Sequence, residues 1–168
     1  YGKTAFTLAK DIGVPQQAAQ EFIDAYFAGF PGVRVFIDQT LADARLSGVV
    51  RTLTGRRRLV PELTSKNGMI RAAAEREAVN MPIQGTAADV LKRAMIDVQA
   101  ALTQRNASRA RPARMILTVH DELVFEAPED EAQDLAALMR TLMERAFPLN
   151  VPLTVDVGIG KDWKAAKA

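Results

Sequence analysis

The chain has 168 residues, of which 48% are hydrophobic and 25% are charged, and its net charge is +2 at pH 7. These values are ordinary for one globular domain or a large piece of one. The absence of cysteine excludes disulfides and thiolate zinc sites. No apolar run approaches the roughly 20 residues that a transmembrane helix needs, so we expect no membrane partner.

The small positive charge permits a nucleic-acid partner only where the basic residues cluster. The sequence begins at Tyr1 rather than at a methionine. We therefore expect it to be a piece of a longer protein.

Residues 1–48 are predicted to be helical. Pro15 suits the first position of a helix, and Gly48 suits the end of the last one. Apolar residues between these two points recur at helical spacing, and we expect the aromatic ones to lie in the core. They include Ala18, Ala19, Phe22, Ile23, Tyr26 and Phe27.

Residues 49–60 are predicted to form a β-hairpin with its turn at Gly55. The turn is followed by Arg56, Arg57 and Arg58. A basic hairpin tip can contact the phosphates of a duplex, and each such contact adds salt-dependent affinity. The same charges can instead serve only to prevent edge-to-edge strand pairing, and the pattern favours neither interpretation.

Two helices are predicted next, at about residues 69–80 and 85–104, with Pro82 breaking or offsetting them. Arg76, Asn80 and Gln84 are four residues apart and share one face if helical geometry persists. Arginine suits a phosphate, whereas asparagine and glutamine can contact base edges. On the local pattern alone, a solvated helix face is the better interpretation.

Residues 115–119 and 123–126 are predicted to form a second hairpin, after a basic surface loop at 105–113. Its tip carries His120, Asp121 and Glu122. One carboxylate there can ligate Mg²⁺ and its neighbour can assist through water, because Mg²⁺ prefers oxygen ligands and keeps several waters. The alternative is an aspartate that only makes the turn and a glutamate that points to solvent. His120 is not expected to ligate metal, because there is no second histidine to join it.

Pro128 is predicted to open a helix whose inner face is apolar, and residues 151–159 alternate as a half-buried strand does. Strands separated by a helix, together with a hairpin, favour an α+β fold with a small, mainly antiparallel sheet covered on one face by helices. The apolar face of the helix consists of Leu135, Leu138, Leu142 and Ala146.

Taken together, four segments in this order resemble the family A DNA polymerases, the bacterial DNA polymerase I type. The resemblance covers essentially the whole chain and implies part of a right-hand polymerase fold. Residues 1–48 would be distal fingers helices, and residues 49–168 would be a continuous part of the palm. The four segments are residues 52–58, 76–89, 119–123 and 155–163.

The resemblance also implies roles for matching positions. Asp121 would ligate metal with Glu122 beside it, and these two would be the catalytic residues. The remaining positions would contact DNA: Tyr1 near the templating base, Arg56, Arg57 and Arg58 in the basic hairpin, Arg76 at a backbone phosphate, Asn80 and Gln84 in the minor groove near the growing end, and His120 at the primer terminus.

The implied reaction is template-directed DNA synthesis, with two Mg²⁺ ions in the complete enzyme. The implied partners are primer–template DNA and a deoxynucleoside triphosphate (dNTP), with a monomeric enzyme in the cytoplasm. The family's other metal-binding aspartate lies in an upstream motif that these residues lack. Asp156 and Asp162 are the internal candidates to replace it, and no pattern brings either one to Asp121.

The chain alone is therefore expected to be inactive. A module that binds primer–template DNA without catalysis is the alternative function. A metal-dependent nuclease built on Asp121 and Glu122 ranks last, because it lacks the additional clustered acids.

Overall fold

The computed structural model describes residues 2–167, in two compact units that meet in sequence between Thr86 and Ala87. Each unit contains helices and one two-stranded antiparallel hairpin. The elements are α1 (Ala5–Ile12), α2 (Gln16–Gly29), α3 (Pro31–Ser47), β1 (Val49–Arg51), β2 (Arg57–Leu59), a 3-10 turn (Pro61–Thr64), α4 (Gly68–Asn106), β3 (Arg114–Val119), β4 (Glu122–Glu126), a 3-10 turn (Glu129–Glu131), α5 (Ala132–Glu144) and α6 (Trp163–Ala166).

Local capping signals set the ends of the first three helices. The backbone N–H of Thr7 donates to Thr4 Oγ1 at 3.2 Å at the start of α1. Pro15 takes the capping position just before α2, one residue ahead of the position we expected for it. Gly48 ends α3 at a φ of 71°, and its N–H donates to the carbonyl of Ala44 at 2.8 Å.

The aromatic residues of α2 correct our expectation of an aromatic core. Phe22 is 62% exposed and Tyr26 is 43% exposed. The core of α1 and α2 is built instead from small residues, which allow the two helices to approach closely. It consists of Ala5, Ala9 and Ala19, with Leu8, Val14 and Ile23 packed around them.

The first hairpin forms where the sequence predicted it. Val49 pairs with Leu59 and Val50 with Arg58, and Gly55 adopts a φ of 86° in the turn. Val50 and Val60 are buried, and they pack with residues of α3 and α4 in one hydrophobic cluster. The cluster consists of Ala44, Val50, Val60, Leu63, Ala74 and Ala78.

The predicted break at Pro82 is wrong, because α4 continues through it from Gly68 to Asn106. Proline lacks the N–H that would bond the carbonyl four residues earlier. Tertiary packing outweighs the lost hydrogen bond. Ala78 is fully buried and Val79 is 7% exposed, so the apolar side of the helix packs on the core in the turn before Pro82.

The second hairpin also confirms the prediction, with Val119 opposite Glu122 and an irregularity between Met115 and Leu117 that makes Ile116 the extra residue. Asn106 holds the start of β3, because its Nδ2 donates to the carbonyl of Ala113 at 2.8 Å and its Oδ1 accepts from that residue's N–H at 3.0 Å. The core of this unit consists of Val98, Leu102, Ala113, Leu135 and Met139, with Leu138 and Leu142 packed against it.

The strand predicted at residues 151–159 does not form. Val151 is 65% exposed and Ile159 is 45% exposed, and the N–H of Val155 donates to Glu144 Oε1 at 3.2 Å. A strand requires a neighbour for its backbone groups. Within residues 2–167, β3 and β4 pair only with each other. The α+β class is confirmed, with two separate hairpins in place of one sheet.

None of the helices in the described part of the chain is long and apolar enough to span a bilayer.

Candidate nucleic-acid and metal sites

The continuous helix α4 places the three predicted DNA-contacting residues on one face. Arg76 and Gln84 are exposed and Asn80 is half-buried. Arg76 packs next to the chain start, where a Cβ placed on Gly2 would lie 2.8 Å from its Cγ. The predicted stripe therefore exists, and it depends on the helix continuing through Pro82.

A groove of about 360 Å³ lies beside this face. It brings Asn80 and Gln84 together with Arg58. Arg58 belongs to the basic hairpin, the name used here for residues 49–60. Arg76 is not among its walls. The lining residues are Arg58, Glu77, Asn80, Met81, Gln84 and Gly85.

Asn80, which lines this groove, also carries an unusual polar atom. Its Oδ1 is buried and has no hydrogen-bond partner within residues 2–167. Leaving a buried acceptor unpaired costs on the order of 1–3 kcal/mol. Unpaired groups of this kind are rare enough to require an explanation, and an incoming donor from a ligand is one.

The three arginines of the basic hairpin have different surroundings. Arg58 forms an ion pair with Glu77, in which both side chains remain at least half exposed. Arg57 lies directly opposite Arg51 across the hairpin, an arrangement of like charges that disfavours the hairpin unless an anion lies nearby. Arg56 is exposed, and its N–H donates to Thr52 Oγ1 at 3.1 Å.

The second hairpin presents His120 and Asp121 as a two-residue turn between Val119 and Glu122. His120 has a φ of 54° and is the only residue other than glycine with a positive φ among residues 2–167. Two-residue hairpin turns favour positive φ, so β3–β4 pairing imposes this conformation. All three polar side chains of the tip are exposed.

Asp121 and Glu122 differ in their partners. Glu122 Oε1 lies 3.0 Å from Lys167 Nζ, and that ammonium also lies 4.8 Å from the ring centre of Trp163. No ion pair of Asp121 is seen in the described part of the chain. The site therefore offers one carboxylate free to bind a cation and a second that is already paired.

Neither internal substitute for the upstream aspartate joins this tip. Asp162 Oδ1 accepts from the N–H of Ala165 at 2.9 Å and so caps α6, and Asp156 is exposed. Among residues 2–167 there is no group of three or more His, Cys, Asp or Glu side chains that could hold a metal ion. Tyr1 lies outside the described residues.

Sequence reasoning missed Glu77, Thr86 and Lys167. Glu77 neighbours Arg76 in sequence, but nothing in the pattern predicts its pairing with Arg58. Thr86 lies within residues 76–89, the segment that resembles a polymerase. Its hydroxyl beside Gly85 was the one feature of the sequence that could have indicated a polar contact with a neighbouring backbone. Lys167 lies 45 positions from Glu122 in sequence, so only the folded structure reveals their contact.

The helix face, the basic hairpin and the acidic tip (residues 120–122) are the features that resembled a polymerase in the sequence, and comparison with known proteins shows the family. The sequence model of DNA polymerase family A matches residues 1–165. The chain belongs to DNA polymerase family A. Its enzymes are DNA-directed DNA polymerases, which are nucleotidyltransferases and generally use divalent metals.

Three relatives illustrate the similarity. "DNA polymerase I, thermostable" of Thermus aquaticus is 48% identical over 99% of this chain and 19% of its own length. DNA polymerase I of Pseudomonas aeruginosa is 49% identical over 99% of this chain and 18% of its own length. The structure resembles the POL domain of Pol1 from M. smegmatis, solved in complex with DNA primer-template and dNTP. Its TM-score is 0.91 at 43% identity, and the match covers 98% of this chain and 28% of that one.

The chain thus spans about a fifth of the length of the curated relatives that it matches.

Proposed function

We propose that these residues form part of a template-directed DNA polymerase that joins a dNTP to a primer 3′-hydroxyl. The match over residues 1–165, with the predicted helix face and acidic tip both formed, carries this proposal. In that enzyme the primer hydroxyl attacks the α-phosphate and pyrophosphate leaves. Residues 1–48 belong to the distal fingers and residues 49–168 to the palm.

The groove beside α4 supports a role in holding the primer–template. Asn80 and Gln84 meet the minor groove near the growing end, where the acceptors are nearly the same for every base pair. The enzyme can therefore test the shape of a pair without reading its sequence. The buried, unpaired Oδ1 of Asn80 would gain a donor from ordered water when the side chain meets the DNA.

The cationic side chains hold the phosphates. Arg76 contacts one backbone phosphate, and the basic hairpin places Arg56, Arg57 and Arg58 within reach of others. A phosphate between Arg51 and Arg57 would relieve their repulsion across the hairpin. His120 contacts the primer terminus from the tip of the second hairpin. Tyr1 stacks near the templating base.

Asp121 fits one position of a Mg²⁺ site, because it is an exposed carboxylate fixed on a hairpin turn and is free of ion pairs within residues 2–167. Glu122 lies beside it and would assist through water, since its own charge is paired with Lys167. When bound, Mg²⁺ lowers the pKa of the attacking hydroxyl and neutralises charge at the phosphate. We assign the second aspartate of a two-ion site to a part of the enzyme outside these residues.

The complete enzyme is proposed to be a cytoplasmic monomer that binds primer–template DNA and dNTPs.

The deciding experiment replaces Asp121 in the complete polymerase. Asp121→Ala should lower primer extension by about a thousandfold or more, because a preorganised charge at the reacting centre is lost. Affinity for the primer–template should survive. Extension would be followed on a labelled primer with Mg²⁺ and all four dNTPs, and affinity by fluorescence anisotropy.

Asp156→Ala is the matched control, since it removes another exposed carboxylate of the same unit. It should extend normally. Near-normal extension by Asp121→Ala would refute the assignment, and loss of extension in Asp156→Ala would identify a second ligand within these residues.

A further inference from the structure

One hydroxyl of α4 links the turn of the basic hairpin to the helix backbone, in addition to the ion pair between Arg58 and Glu77. The N–H of Leu53 donates to Thr86 Oγ1 at 3.0 Å, and that hydroxyl donates to the carbonyl of Pro82. Thr86 is 7% exposed. The hydroxyl thus accepts from the hairpin and donates to the helix, so it ties the two elements together.

The hairpin and the helix backbone also approach very closely at this point. A Cβ placed on Gly85 would lie 2.7 Å from Thr52 Cγ2, so a larger residue there would displace the turn. Thr52 is 5% exposed, whereas Leu53 is 68% exposed. The turn is therefore held by the buried Thr52 packed on Gly85 and, at the exposed Leu53, by its backbone hydrogen bond to Thr86.

The turn itself is stiffened by internal hydrogen bonds, so a restraint at Leu53 reaches β2. The N–H of Gly55 donates to the carbonyl of Thr52 at 3.0 Å, and the N–H of Arg56 donates to Thr52 Oγ1 at 3.1 Å. Two residues further on, Arg58 lines the groove that contains Asn80 and Gln84.

We propose that Thr86 is a positioning residue that holds the basic hairpin against α4, so that Arg58 faces the same groove as Asn80 and Gln84. Thr86 does not itself touch DNA in this assignment. It acts through the position of Arg58. The inference rests on the proposed function, because its consequence is measured as affinity for primer–template DNA.

The test measures coupling between Thr86 and Arg58 in the complete polymerase. Thr86→Val keeps the shape of the side chain and removes the hydroxyl, and Thr86→Ser keeps the hydroxyl. We expect Thr86→Val to weaken primer–template binding about three- to tenfold, as loss of a buried hydrogen bond does, and Thr86→Ser to restore it. Arg58→Ala should weaken binding in the parent but have little further effect in Thr86→Val, because residues that act together are not additive.

Thr86→Ala provides a second variant if Thr86→Val folds poorly, since alanine favours the helix. The unfolding midpoint of each variant reports whether the fold is intact. Equal DNA affinity of the parent and both variants that lack the hydroxyl would overturn the inference, as would additive effects of Thr86→Val and Arg58→Ala. Absence of any DNA binding by the parent would instead overturn the proposed function.

Discussion

At the scale of single residues, the unpaired Oδ1 of Asn80 supports the proposed DNA-binding role of that side chain. Functional sites commonly retain groups that reduce the stability of the free protein. Sequence spacing placed Asn80 on the same helix face as Arg76 and Gln84, since a period of 3.6 residues decides that placement. It did not reveal the burial of the oxygen, because burial depends on tertiary packing that spacing does not encode.

The unpaired oxygen gives a prediction in which DNA affinity falls while the free energy of unfolding does not. Asn80→Ala should weaken primer–template binding by about tenfold, which corresponds to about 1.4 kcal/mol. Its free energy of unfolding should stay within about 1 kcal/mol of the parent or rise, because removing an unpaired acceptor offsets the lost packing. Anisotropy titrations and denaturant unfolding of the 168-residue chain measure the two quantities.

The exposed neighbour Gln84 serves as the control. Gln84→Ala should weaken DNA binding without any gain in the free energy of unfolding, since its amide is already solvated. A loss of more than about 2 kcal/mol in Asn80→Ala would show that its side chain serves the fold.

At the scale of elements, the sequence predicts what local chemistry decides. The turn at Gly55 and the tip at His120 formed as predicted, because two- to five-residue turns depend on their own residues. Residues 151–159 alternate correctly yet form no strand, because pairing depends on a distant neighbour. The aromatic residues of α2 recur at the same helical spacing as its core residues. Spacing alone does not show which helix face packs against the rest of the protein, so their exposure was not predicted.

Pro82 provides a prediction at this scale. Pro82→Ala should raise the free energy of unfolding by about 1–2 kcal/mol, because the restored N–H can bond the carbonyl of Ala78 while the unfolded chain gains some entropy. Denaturant unfolding of the 168-residue chain measures it. Pro31 is the control, since it lies at the first position of α3, where proline is favourable.

Pro31→Ala should therefore give no gain. A decrease in stability for Pro82→Ala would mean that the half-buried proline ring packs too well to be replaced.

At the scale of the whole molecule, both units expose large apolar side chains. Leu46 is 91% exposed, Leu59 75% and Met69 81% in the first unit, and Ile96 is 66% exposed in the second. Exposed apolar surface commonly marks an interface. The chain also spans only about a fifth of the length of its curated relatives. Both observations agree with the proposed place of these residues within a larger polymerase.

A chimera tests that conclusion directly. The segment of Thermus aquaticus DNA polymerase I that this chain matches, 19% of that protein, would be replaced by residues 1–168. Because 48% of the aligned residues are identical, we expect the chimera to fold and to extend a primer. The same chimera with Asp121→Asn should bind primer–template equally well but extend it about a thousandfold more slowly, since one carboxylate of the metal site is neutralised.

A chimera that binds DNA and extends equally well with either residue would show that Asp121 is not a metal ligand. A folded chimera that binds primer–template and dNTP but never extends would show that these residues do not supply the polymerase part we assign to them.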